Sequence, residues 1–250
     1  MSVPDDTRDQ AAGLRDIFRH ARLEPAVHVI ACPSRPALAV SLVAALAKSL
    51  SEIGHATLWI DEVGFDEREG WPFATRIRFD LSQALAGFVD IRSAIQPITS
   101  DCWYGLRLQA PPKTASATTV TSKLRQSTTI LDSILVSSDG KGPQTWGFYG
   151  DEINLCFISD CTDKAIDDGI LWMINTHAVR PARSWSVVLV GESTERAAAF
   201  SRLTTAASKY ISTAVMLRGE VPGTIANLSL TGIWATETDV LSALATHAST

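Results

Sequence analysis

The sequence predicts an α/β protein built on a doubly wound, mostly parallel sheet, and three observations carry that expectation. Short apolar runs rich in β-branched residues alternate with longer segments of helical spacing. The short runs are apolar at consecutive positions, as strands covered on both faces must be. The first strand, helix and strand fit within about 35 residues, the size of a βαβ unit with its right-handed crossover.

The elements follow in order. Val27-His-Val-Ile-Ala31 reads as a buried strand, broken by Cys32-Pro-Ser-Arg-Pro36. Leu38, Leu42, Leu46, Leu50 and Ile53 then recur at near-helical spacing, with Gly54 where a C-cap belongs. Ala56-Thr-Leu-Trp-Ile60 is the second strand, with Asp61 at its carboxyl end. Asp80 is placed to cap a helix over Leu81–Ala86. Ser133–Val136 and Ile153–Ile158 read as strands, Ala165–Thr176 as a helix and Ser186–Val190 as a buried strand. Thr194–Tyr210 is a helix and Thr213–Leu217 a final strand. The Thr/Ser-rich stretch Thr114–Thr129 reads as a surface loop running into a weak helix. Ligands of such a sheet are expected at the carboxyl ends of its strands.

Composition narrows the function classes. A chain of 250 residues, 46% hydrophobic, supports one substantial core. A formal net charge of −5 with scattered Lys and Arg argues against nucleic acid as a partner. No apolar run approaches the about 20 residues that span a bilayer, and Met1–Arg8 is polar and acidic, unlike a secretory signal. The cysteines Cys32, Cys102, Cys156 and Cys161 lack CxxC spacing and read as reduced thiols, so a cytoplasmic location is expected. His20, His28, His55, His177 and His247 lie far apart, with no metal-binding pair, and no metal is expected. Gly191-Glu-Ser-Thr-Glu195 lacks the second glycine of a nucleophile elbow and reads as a polar loop. The tryptophans outside the second strand are placed in or near loops, at core edges.

Ahead of the first strand lies an amphipathic segment. Asp5, Asp6 or Thr7 can cap it, and Ala11, Leu14, Phe18 and Ala21, with Ile17 beside them, form an apolar stripe. Arg8, Arg15, Arg19 and Arg22 surround that stripe. Pattern alone leaves two fates open, packing on its own domain or docking into a partner's groove. The expected division is an N-terminal helix over 1–24 and an α/β domain over 25–250.

Several segments resemble the MinD/ParA family of P-loop ATPases, in the right order. Ala39–Ala47 is similar to the helix after that family's phosphate loop, and Gly54–Asp61 to its second strand. Asp80–Gly87 with Ile91–Ile95, and Thr162–Asp168, resemble further helical passages. Upstream, Asp9-Gln-Ala-Ala-Gly-Leu-Arg15 matches the DQAxxLR element of the flagellar number regulators called FlhG, FleN or YlxH. The resemblance implies that Asp9, Gln10, Ala11, Leu14, Arg15 and Phe18 bind a signal-recognition-type flagellar GTPase of the FlhF kind. It also implies other flagellar partners and recruitment to the cell pole.

The departures from the family are as informative. A P-loop needs glycines whose amides wrap phosphate, a lysine and a magnesium-holding Ser/Thr. Cys32-Pro-Ser-Arg-Pro36 is shorter than the family's loop, lacks glycine and lysine, and carries two prolines without amide hydrogens. Arg35 is its only cation. The family's DxD at the second strand reads Asp61-Glu-Val here. Ser137 stands where the metal-associated acid belongs, with Asp139 two residues on, and the asparagine that reads adenine is missing after Val187–Val190. The sequence therefore predicts a non-enzymatic regulator with no bound nucleotide or other cofactor. The tail Asp239–Ala248 has no Lys or Arg and a thin apolar face, so no stable membrane anchor is expected.

Overall fold

A computed structural model describes residues 25–64, 77–109, 120–126, 131–150 and 152–221. The segment 1–24, with its partner-binding expectation, and the tail 239–248 lie outside the described residues.

The described residues form one eight-stranded sheet. Its strands are β1 (Ala26–Ala31), β2 (Thr57–Asp61), β3 (Ile95–Pro97), β4 (Cys102–Leu106), β5 (Ser133–Ser138), β6 (Ile153–Asp160), β7 (Ser184–Val190) and β8 (Ala214–Val221). They lie in the order β3-β4-β2-β5-β1-β6-β7-β8. Only β3 runs antiparallel to its neighbour. The expected doubly wound, mostly parallel sheet is present. Its winding reverses around β1, which places the carboxyl ends of β1 and β5 at a switch point.

Both faces are covered. On one, α1 (Pro36–Glu52) packs Leu38, Leu42, Val43 and Leu50 against Ile30, Trp59, Tyr104 and Leu135. On the other lie α2 (Leu81–Leu85), α3 (Ile91–Ala94), α4 (Val120–Gln126), α5 (Asp163–Val179), α6 (Ser193–Tyr210) and a 3₁₀ turn, Pro143–Phe148. They bury Val29, Leu58, Val136, Phe157 and Val187 beneath Leu81, Leu124, Ile166 and Leu203.

Local chemistry explains the ends of these helices. Pro36 opens α1, where its fixed φ suits the first turn and its missing amide is no loss to the helix. Gly54, at φ +74°, closes it: its amide reaches Ser51 O at 3.0 Å and that of His55 reaches Leu50 O at 2.9 Å. This is the paired bonding of a Schellman end. The helix thus stops at Glu52, leaving Ile53 66% exposed rather than on the buried stripe. Asp80 caps α2 through Ser82 N at 2.8 Å, and Gln83 returns the bond to Asp80 N at 3.1 Å. Thr162 caps α5 at Ala165 N.

Three features differ from the sequence reading. β3 and β4 were not expected; they complete one edge of the sheet. The helix expected within Thr114–Thr129 is present as α4, but its Val120 and Leu124 are buried, so it is anchored to the core rather than lying on the surface. The tryptophans are not loop residues as a group. Trp103 and Trp185 lie on strands and Trp172 on α5, and Trp172 stacks on Phe157 and meets Trp146 and Trp185. Gly169 permits this crossing, since a Cβ there would lie 2.0 Å from Phe157 Cζ.

Candidate functional site at the strand outlets

The carboxyl ends of β1, β2, β4 and β5 adjoin, and Cys32–Pro36, Asp61-Glu62-Val63 and Ser137 lie there. After β1 the chain makes one tight turn. Arg35 N donates to Cys32 O at 3.1 Å, and Leu38 N to Arg35 O at 2.9 Å. Pro33 and Pro36 have no amide hydrogen. The amides that a phosphate loop would point at an anion are thus largely absent or turned inward. Arg35 occupies the N-cap position with no side-chain capping bond, and its side chain is exposed. Cys32 is fully buried, and burial pushes its thiol up to about 11, so it does not supply a nucleophile at neutral pH.

The space beside this turn is filled by the outlet of β5. Gly140, at φ +79°, approaches the first turn so closely that a Cβ on it would lie 3.0 Å from Pro33 Cγ. The same Cβ would lie 2.6 Å from Trp172 Nε1, which instead donates to Gly140 O at 2.8 Å. Pro33, Gly140 and the Trp172 indole therefore pack where the two outlets meet.

Asp61 is entirely buried. Its Oδ1 accepts from Val63 N at 2.9 Å and from Ser137 Oγ at 3.0 Å, and its Oδ2 from Tyr104 OH at 3.1 Å. Trp59 Nε1 donates to Ser137 Oγ at 3.0 Å, fixing that hydroxyl. Burial raises the Asp61 carboxyl above its ordinary value, against the pull of these donors. Both of its oxygens are engaged by the protein itself. Asp139 turns away, accepting from Lys141 N at 2.8 Å and pairing with Lys141 Nζ at 2.9 Å.

A second polar cluster was not foreseen. Arg107, just past β4, is 6% exposed and pairs with Glu62, just past β2. Arg107 Nη2 also donates to Thr145 Oγ1 at 2.9 Å, and its Nε donates to Tyr149 OH. Tyr149 OH in turn donates to Glu62 Oε1, while Trp146 Nε1 donates to Glu62 Oε2 at 3.2 Å. The Arg107 guanidinium lies 5.1 Å from the centre of the Tyr149 ring. Burial would lower the Arg107 pKa, but Tyr149 and Glu62 together hold it above its usual value. The sequence signal for it is an arginine beside an apolar run, Trp103–Leu106, that Gly105 interrupts.

At the outlets of β6 and β7 the acids are structural. Asp160 accepts from Thr162 Oγ1 at 2.7 Å, and Arg202 pairs with Asp163 and with Asp167. Gly191 leads into α6, whose Glu192 and Glu195 form a capping box, in line with a polar loop. Among the described residues, no group of His, Cys, Asp and Glu is arranged to hold a metal ion. None of the described helices is long and apolar enough to cross a membrane. Asp9, Gln10, Ala11, Leu14, Arg15 and Phe18 lie outside the described residues.

No family model matches the chain, and neither does any curated protein at a significant level. Solved structures do match. The cell division protein MinD of Aquifex aeolicus superimposes with a TM-score of 0.64 at 18% identity, covering 90% of this chain and 95% of that one. The cell division ATPase MinD of Pyrococcus furiosus gives 0.62 at 13% identity, covering 90% and 98%. A plasmid partition protein of Borrelia burgdorferi, bound to AMPPNP, gives 0.55 at 13% identity, covering 90% and 97%. At such identities the likeness speaks for architecture alone, and it is consistent across these structures: the chain has the MinD/ParA, P-loop-NTPase-like fold.

Proposed function

We propose that this chain is a non-catalytic regulator of flagellar number or placement, built on a MinD/ParA-type body that works without a nucleotide switch. The observation that carries the second half is the packing of Pro33 against Gly140 at the β1 outlet. A triphosphate needs an open cup of amides. Here a four-residue turn with proline at Pro33, followed by Pro36, takes its place, and the outlet of β5 leans on it. Asp61, with both oxygens satisfied internally, supports the same reading.

The first half rests on Asp9, Gln10, Ala11, Leu14, Arg15 and Phe18, which match the DQAxxLR element and its apolar stripe. In this reading the segment docks its apolar face on a signal-recognition-type GTPase of the FlhF kind, with Arg15 on the rim. The body then acts constitutively, without ATP-driven dimerisation.

GTPase stimulation tests this. The intact chain is expected to raise the partner's GTP turnover or bind it in a pull-down, and the Leu14→Asp, Arg15→Glu double variant to do neither. Equal behaviour of the two chains overturns the flagellar assignment and favours an assembly factor of another system, such as polysaccharide secretion. Micromolar Mg-ATP binding would instead favour a divergent ATPase using Arg35, Asp61 and Asp139.

A further inference from the structure

We propose that Glu62, Arg107 and Tyr149 form a clamp that holds the outlets of β2, β4 and β5 in one fixed conformation, in the absence of nucleotide. This rests on the reading of a body without a nucleotide switch and names what takes the nucleotide's ordering role.

The three groups come from segments far apart in sequence. The sheet brings them together by continuing past its strands: Glu62 N donates to Ser137 O at 2.9 Å, and Arg107 N to Asp61 O at 2.8 Å. Each outlet then contributes a buried polar group to one network. Glu62 accepts from Arg107, Tyr149 and Trp146, so both carboxylate oxygens are used. Arg107 reaches Glu62, Tyr149 and Thr145 with two of its nitrogens. Tyr149 OH accepts from Arg107 and donates to Glu62, and it remains a neutral donor because burial raises its pKa well above the usual phenol value.

Such a network is close to all-or-none. Separating the β2 or β4 outlet leaves a buried charge without its partner, and separating the β5 outlet strips that pair of its Tyr149, Thr145 and Trp146 hydrogen bonds; either costs more than parting an exposed pair. In switched NTPases the outlet segments are ordered by contacts to the terminal phosphate and its metal, and are released when those are lost. Here the anchoring charges are Glu62 and Arg107 of the chain itself. The outlets have one ordered state, and it needs no ligand.

Hydrogen exchange on the full chain separates this clamp from an ordinary stabilising contact. Wild type, Arg107→Met and Tyr149→Phe are compared with and without millimolar Mg-ATP. The clamp predicts slow exchange in residues 62–64, 107–109 and 143–149 of the wild type. It predicts a concerted acceleration of about tenfold or more in all three segments of Arg107→Met, with β6, β7 and β8 unchanged. Tyr149→Phe keeps the ion pair and gives a smaller rise in the same three segments. It decides the matter alone should Arg107→Met fail to fold. Acceleration confined to one segment, or spread evenly over the sheet, overturns the clamp whatever Mg-ATP does. Protection of the wild-type outlets by Mg-ATP overturns the nucleotide-free reading, and it does so even where the variants loosen the three segments together.

Discussion

The outlet of β1 and the neighbouring outlets of β2, β4 and β5 have opposite chemistry. At β1 the turn is built on proline: Pro33 and Pro36 lack amide hydrogens, Pro33 rests against Gly140, and Ser34 and Arg35 are exposed. A short distance across the sheet, Glu62, Arg107, Thr145, Trp146 and Tyr149 crowd into one buried network. Apolar packing of Pro33 on Gly140 at one outlet thus lies beside a buried ion pair at its neighbours. Under the proposed function, the difference reads as an end of the sheet organised for rigidity rather than for an exchangeable ligand.

The largest effect should come from the charged side of this comparison. Arg107→Met leaves the Glu62 carboxylate buried and unpaired, which is expected to cost about 3–5 kcal/mol in denaturant unfolding. Adding Glu62→Gln should restore part of that loss, since the stranded charge is then removed. A cost under about 1 kcal/mol, typical of exposed pairs, would break the contrast between the two regions.

On the apolar side, Gly140→Ala must place a methyl 2.6 Å from Trp172 Nε1 in a left-handed conformation. Left-handed strain and overpacking together predict a loss of about 2–4 kcal/mol, read as a lower midpoint of thermal unfolding. Trp172→Phe keeps most of the ring but deletes the bond to Gly140 O, and about 1 kcal/mol is expected. A neutral result there would mean that the indole bond does not hold the β5 outlet on Pro33.

The smallest effect is a slope. Burial raises the Asp61 carboxyl above its ordinary 3.8, so the folded state holds that proton more tightly than the unfolded one. Its contribution to stability therefore falls as pH rises from about 3.8 through the raised folded value. Asp61→Asn cannot titrate, so this variant should gain on the wild type as pH increases across that window. Parallel pH–stability curves for the two proteins would contradict the buried, self-satisfied carboxylate.

Much of this was legible in the sequence because the fold's signals are local. Consecutive apolar runs marked β1, β2, β5, β6 and β7, and Asp80, Thr162 and Gly54 marked helix ends through bonds reaching only a few residues. The short, proline-bearing turn after β1 was legible for the same reason, being a matter of which residues lie between β1 and α1. The polar clamp was not. β4 is interrupted by Gly105 and β3 contains Pro97, so neither has the unbroken β-branched or apolar run of a central strand. Glu62 and Arg107 then lie 45 positions apart, joined only by the parallel register of β2 with β4. Trp172 falls inside the expected helix Ala165–Thr176, whereas Trp185, between Ser184 and Ser186, carries no local apolar signal and owes its burial to partners on other elements such as Trp172.

Isothermal titration of the purified full chain with Mg-ATP tests the absence of a nucleotide switch most directly. The account predicts no heat of binding at micromolar concentrations, leaving at most a millimolar association. A saturable micromolar isotherm that disappears on substitution of Arg35 or Asp139 would contradict it.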